Sequence, residues 1–279
     1  GLRPPPAGRP RQGPEIPHGG PLPPDSDDLD AWRLLPQNPD GAIGMRKVWL
    51  VGETAARAEL ADFARHHVGD YKVERDFMGR VGVSRLSPHL HFGELSPREV
   101  WHAISEPQSI GGEAYLRELG WREFCHHLLI AHWDLPDHPL DRTFERFPYR
   151  DDETSLDAWR NGQTGYPLVD AAMRELWITG WMHNRARLVS ASFLIKHLLI
   201  DWRKGERWFW DTLVDPDLAH NSANWPWVAG RAAYATTNSR LVTRATHRAQ
   251  SDPHRPHLPR IAAATARVTS APAPPHERH

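Results

Sequence analysis

Apolar residues recur along this chain at helical spacing, and they do so in four stretches. Between Glu53 and His67 strong helix formers place Leu60, Phe63 and Ala64 on one face, which predicts a surface helix. Ser96-Pro97-Arg98-Glu99 is a capping box with proline at the first helical position, so a helix is expected to start there and run through Val100, Trp101 and Ile104. A longer helix is expected from Glu113 to Trp133. From Tyr166 to Trp210 the sequence is nearly all helix formers, with breaks expected at Thr179-Gly180 and from Asp201 to Gly205. Within it, Arg185 to Ile200 sets Leu188, Ala191, Ser192, Ile195 and Leu199 at helical spacing, and Phe193, Leu194 and Leu198 widen the stripe, which predicts a deeply buried helix. No alternating strand pattern exceeds a few residues, so the fold class is mainly α.

The ends differ from this middle. Residues 1–45 hold proline-rich runs such as Pro4-Pro5-Pro6 and read as a linker or an extended strap. The body of the domain is expected over 46–230. Residues 231–279 carry eight Arg against one Asp and one Glu, with Ala-Thr-Ala and Pro-His elements and few large apolar residues, a composition expected to stay disordered.

Composition narrows the function. The chain has 279 residues, 39% of them hydrophobic, enough for one large core or two small ones. A single cysteine, Cys125, excludes internal disulfides and a cysteine metal cluster, and fits a reducing, cytoplasmic setting. No apolar run approaches the roughly 20 residues of a membrane span. The net charge of −1 gives no overall pull toward nucleic acid, so any basic surface is local. Thirteen tryptophans are an excess, and Trp202, Trp208, Trp210, Trp225 and Trp227 crowd the C-terminal half. Core packing explains any one of them; together they also suit a flat ligand or a chain of oxidisable rings.

Three clusters could carry chemistry. Ser84-Arg85-Leu86-Ser87-Pro88 precedes a helix and would present backbone N–H groups and two hydroxyls to an anion, although simple helix capping uses the same residues. In Trp181-Met-His-Asn184-Arg185, a buried Asn could bond a heterocycle edge or make an interhelical contact. Asp215-Pro-Asp217 with Asn221 forms an acidic cluster whose natural partner is a buried Arg187. A metal is not expected, because one His and Asn would be the only further ligands near the two carboxylates and no HExxH or Cys/His set completes His126-His127 or the other His pairs.

Taken in order, seven blocks resemble the photolyase/cryptochrome family. They are Ser84-Arg-Leu-Ser-Pro-His-Leu-His-Phe-Gly-Glu-Leu-Ser-Pro-Arg98, Glu118-Leu-Gly-Trp-Arg-Glu-Phe124, Gly162-Gln-Thr-Gly-Tyr-Pro-Leu-Val-Asp-Ala-Ala-Met-Arg174, Thr179-Gly-Trp-Met-His-Asn-Arg185, Ala191-Ser-Phe-Leu-Ile-Lys196, Leu199-Ile-Asp-Trp-Arg203 and Asp215-Pro-Asp-Leu-Ala-His-Asn221. The resemblance covers about Leu22 to Gly230 and implies a helical domain that holds FAD in a bent pose. It implies that Tyr71 and Ser84, Arg85, Leu86 and Ser87 hold the FAD phosphates, and that Trp121 and Arg122 line the cavity. Asn184 would approach the reactive flavin nitrogen and Asp217 the pyrimidine edge, with Asp215 paired to Arg187 and Asn221 beside them.

For activity, the resemblance implies light-driven repair of pyrimidine dimers in DNA, or alternatively a cryptochrome-like light sensor without repair, or a truncated inactive product. Glu118 would bond the dimer, Trp121 and Trp227 would stack on its flipped bases, and Arg122 and Asn184 would face the same space. Arg75 and Arg185 would contact backbone phosphate. Trp225, Trp202 and Tyr149 would form the electron path, with Tyr standing where Trp is usual. The family's α/β antenna domain has no counterpart here, and the resemblance stops at Gly230, where a frame shift is the expected origin of the tail. A monomer is expected.

Overall fold

A computed structural model of the chain describes residues 28–35, 40–105, 109–140, 142, 145 and 147–229. The proline-rich run before residue 28 and the tail from residue 230 lie outside the described residues. Eleven α-helices follow in order among the described residues: α1 Ile43–Arg46, α2 Glu53–His66, α3 Tyr71–Glu74, α4 Ser87–His91, α5 Pro97–Ser105, α6 Ile110–Ala131, α7 Glu153–Arg160, α8 Pro167–Thr179, α9 Asn184–Lys196, α10 Trp202–Thr212 and α11 Leu218–Val228. A 3₁₀ turn over Leu29–Trp32 precedes them, and no strand occurs among the described residues. The stretch expected as a strap thus contains a 3₁₀ turn and the start of α1, which packs on α8.

Two apolar clusters organise the helices. Leu60, Phe63, Tyr71, Val100, Ile104 and Tyr115 form one, from α2, α3, α5 and α6. Trp159, Leu176, Leu194, Trp202, Phe209 and Trp225 form the other, from α7 to α11. Helix α6 packs on α3 and α5 on one side and on α11 on the other, so it stands between the clusters.

Local chemistry sets the boundaries. Ser96 Oγ accepts from the Glu99 backbone N–H (3.1 Å) while Glu99 Oε2 accepts from the Ser96 N–H (2.9 Å), the reciprocal pair that starts α5. Gly180 ends α8 in the left-handed region (φ 68°), a conformation a side chain resists, and its N–H reaches the Leu176 carbonyl.

Two boundaries depart from the expected ones. The second break falls between Lys196 and Trp202, not from Asp201 to Gly205. Asp201 is the N-cap of α10, its side chain accepting from the Arg203 N–H, and Gly205 lies inside the helix. A Cβ at Gly205 would sit 2.4 Å from Trp225 Cη2 and 2.5 Å from Leu194 Cδ2, so the glycine marks a close helix contact and not a break. Leu199, assigned by spacing to the apolar face of α9, instead lies beyond the helix with φ 57° and is 37% exposed. The break follows because Ile200 turns back to the core, its N–H bonding the Leu194 carbonyl.

Candidate functional site: a cavity between the two helical clusters

The site opens where α6, α9 and α11 meet the segment before α4. A cavity of about 560 Å³ is lined by Tyr71, Arg75, the run from Val83 to Ser87, Glu118, Trp121, Arg122, Asn184, Arg185, Arg187, Asp215 and Trp227. A smaller one of about 250 Å³ shares Ser87, Arg122, Asn184, Arg187 and Asp215 with it and adds Asp217, Asn221 and Trp225. Together they are in the size range of sites for large organic ligands. Residues from five of the seven sequence blocks thus meet at one place.

One end is cationic. Arg85 has φ 53°, and its guanidinium lies between the rings of Trp49 (4.8 Å) and Trp181 (4.6 Å). Its buried Nε has no hydrogen-bond partner, so a donor on a stacked, always-charged group remains to be satisfied. Ser84 Oγ is 2.9 Å from Tyr115 Oη, whose burial pushes its pKa up to about 12, so this pair stays neutral. Helix α4 is only five residues long, so the positive pole expected from a helix start is weak here and Arg85 carries the attraction for an anion.

The other end is an acid–base network. Arg187 Nη2 donates to both oxygens of Asp215 (2.9 and 3.0 Å) and Arg187 Nε to the Met182 carbonyl (2.9 Å), while the Asp215 side chain is 4% exposed. Asp217 caps α11, accepting from the His220 backbone N–H at 2.8 Å, and the same oxygen lies 2.8 Å from the His220 ring Nδ1. Burial opposes charge on Asp217, but the bonds from His220 and the fields of His220 and His126 outweigh it and hold the carboxyl well below the usual range. His183, the N-cap of α9, is pushed down to about 4 by burial and by Arg185 and Arg187, so it is neutral at pH 7. Asn184, in the first turn of α9, is exposed to the cavity.

Some expected site residues are already committed within the protein. Arg75 donates to Glu118 (2.5 Å) and Arg185 Nε to Asp76 (2.8 Å), so both cations expected to meet phosphate hold carboxylates, and Glu118 holds one of them. Asn221 lines the smaller cavity, yet its amide is used in the core: Nδ2 donates to Glu206 Oε1 (2.9 Å) and Oδ1 accepts from Trp225 Nε1 (3.1 Å). Its role there is to orient the Trp225 ring. Leu86 is 1% exposed and only its backbone can serve a ligand. Trp121 is half exposed at the cavity rim. Trp202 and Tyr149 do not line either cavity; Trp202 is fully buried in the same cluster as Trp225, and Tyr149 packs against that cluster.

The fold also recruits groups to which the sequence assigned no role at the site. Trp49 and Tyr115 join the cationic end, and His126 of α6 reaches Asp217 across 3.2 Å. Only Trp181 among the Arg85 partners lies in a block that stood out along the chain. The reading that Asp217 has a single histidine in reach is therefore corrected: α6 crossing α11 brings the second one from 91 positions away.

The donors present suit a ligand with both a charged phosphate part and a flat heteroaromatic part. A family model described as the FAD binding domain of DNA photolyase matches residues 115–278. The chain belongs to this family. FAD is the cofactor that goes with it, and the family's solved structures are helical in this region. A deoxyribodipyrimidine photo-lyase of Agrobacterium fabrum is 50% identical over 222 residues, covering 78% of this chain and 46% of that protein. Cryptochrome-1 of Arabidopsis thaliana is 38% identical over 197 residues, covering 67% of this chain and 29% of that protein. The crystal structure of a class III photolyase from Agrobacterium tumefaciens superposes with a TM-score of 0.80 at 46% identity, covering 86% of this chain and 51% of that one. The chain spans about half the length of the curated photolyases it matches. No helix among the described residues is long and apolar enough to cross a membrane.

Proposed function

We propose that this chain binds FAD in the paired cavities and serves light-driven repair of cyclobutane pyrimidine dimers in DNA. The observation that carries the reading is the joining, in one space, of a stacked Arg85 with an unsatisfied Nε, the Arg187–Asp215 pair, and the rim formed by Glu118, Trp121 and Trp227. When bound and reduced, FAD supplies an electron to the dimer under light and regains it once the ring has opened.

The protein's own residues divide the work. Tyr71, Ser84, Arg85, Leu86 and Ser87 receive the phosphates, with Arg85 held rigid by its two tryptophans. Asn184 and Asp217 would meet the polar edge of the flavin, with Arg187 holding Asp215 in place beside them. Trp121 and Trp227 stack on the flipped bases, where every base offers a π face. Glu118 turns to the dimer once phosphate draws Arg75 away, and Arg185 leaves Asp76 in the same exchange. Salt therefore weakens DNA binding. Trp225, Trp202 and Tyr149 form the path for photoreduction, the buried pair through their shared core.

The visible spectrum of the purified full chain with added FAD tests the first half: bound-flavin bands that bleach under blue light with a reductant are expected, and protein that stays colourless refutes it. Blue-light repair of a dimer-bearing oligonucleotide tests the second half. Flavin binding without repair would favour the sensor reading, which the likeness to a plant cryptochrome keeps in play.

A further inference from the structure

Three ligand-type side chains converge beside the smaller cavity: His126 from α6, and Asp217 and His220 from the start of α11. One ligand atom of each lies within 4.8 Å of the others. We propose that His126, Asp217 and His220 form a binding site for one divalent transition-metal ion of the zinc class.

The hydrogen bonds around His126 carry the argument. Its Nδ1 lies 2.9 Å from the Arg122 carbonyl, and a carbonyl only accepts, so Nδ1 bears the proton. In the neutral ring Nε2 then presents a bare lone pair, and it faces Asp217 Oδ2 at 3.2 Å, also an acceptor. Two acceptors at that separation repel unless a cation lies between or beside them, either an added proton or a metal ion. The backbone carbonyl behind the ring is the support that metal-binding histidines use to fix their tautomer. On the other side, Asp217 Oδ1 lies 2.8 Å from His220 Nδ1, so a second imidazole addresses the same carboxylate.

Two imidazoles and one carboxylate suit zinc, iron, nickel or copper and not the all-oxygen preference of magnesium or calcium. Metal–ligand bonds of about 2.0–2.2 Å let one ion bridge atoms spaced like these with small side-chain shifts. The three side chains are 20–37% exposed, so the ion has an entry path, and its remaining positions open toward the cavity lined by Asp217 and His220. Asp217 is also the residue assigned to the flavin edge, so ion and flavin compete, and the metal is measured on protein without FAD so that either assignment can fail alone.

Titrate the full 279-residue chain, stripped of metal with a chelator, with zinc chloride by calorimetry, and follow cobalt(II) by its visible spectrum. One tight site per chain and intense cobalt bands are expected, with affinity lowered at least tenfold in His126→Ala and separately in His220→Ala. His126→Gln, which keeps bulk and a hydrogen bond to Asp217, must show the same loss while its circular dichroism matches the parent. Folded protein without a tight site, which means a proton alone joins the triad, overturns the proposal. So does affinity unchanged by His126→Gln, which places the ion on other histidines.

Discussion

Gly205→Ala and Gly120→Ala make the same chemical change inside two helices, and the structure assigns them opposite signs. In an unpacked helix the change stabilises by about 0.8–1.0 kcal/mol, because alanine restricts the unfolded chain and solvates less backbone. At Gly120, exposed on α6, an added Cβ meets nothing within 4 Å, so about that gain is expected. At Gly205 the Cβ would stand 2.4 and 2.7 Å from two carbons of the Trp225 ring and 2.5 Å from Leu194 Cδ2. The ring cannot swing aside cheaply. Its Nε1 donates to Asn221, and it makes T-shaped contacts with Phe209 (centroids 5.0 Å) and Trp159 (6.4 Å). Overpacking of a tight core costs about 1–3 kcal/mol, so after the helix gain is subtracted the net effect is a loss of up to about 2 kcal/mol. Urea unfolding followed by far-ultraviolet circular dichroism reads both variants against the parent. If both move the midpoint in the same direction, the close contact of α10 with α11 is not what makes Gly205 necessary.

Other consequences are as specific. Arg187→Ala leaves the Asp215 carboxylate buried without its partner and is expected to cost about 3–5 kcal/mol, while Arg187→Met with Asp215→Leu recovers most of it; equal losses in the single and double variants would contradict the pairing argument. Ser96→Ala removes the hydroxyl that accepts from the Glu99 N–H and leaves only the backbone half of the α5 capping box, and is expected to lower stability by about 0.5–2 kcal/mol in a thermal melt. Burial lifts Glu175 to about 7, so the folded state holds a proton the unfolded state has lost, and this group makes stability fall as pH rises from about 4.5 to 7. His183, depressed to about 4, makes stability rise with pH between about 4 and 6.5, because there the unfolded state binds the extra proton. The two slopes oppose each other in the parent. Glu175→Gln is therefore expected to leave a positive slope between pH 4.5 and 6.5 in urea midpoints, and a slope unchanged by the substitution would show that Glu175 is not buried as described.

What the sequence determined on its own was periodic or local. The apolar stripe of α9, the capping box of α5 and the stop at Gly180 each depend on residues within a few positions of one another, so their physics is written in adjacent letters. The order of the blocks likewise determined the family, since it repeats a whole succession of such local signals. Tertiary structure decided what depends on distant approach. Gly205 looks like a helix breaker until Trp225 is placed over it, and Leu199 looks like a core position until Ile200 turns the chain inward. The same holds at the site. Arg75 and Arg185 read as free cations along the chain, but Glu118 and Asp76 neutralise them across 43 and 109 positions. Asn221 reads as a ligand donor, but Glu206 and Trp225 absorb its amide. His126 reads as an idle half of a histidine pair until the crossing of α6 and α11 sets it against Asp217. A residue's chemistry is fixed by its type, whereas the charge or proton it faces is fixed by packing, which no spacing along the chain encodes.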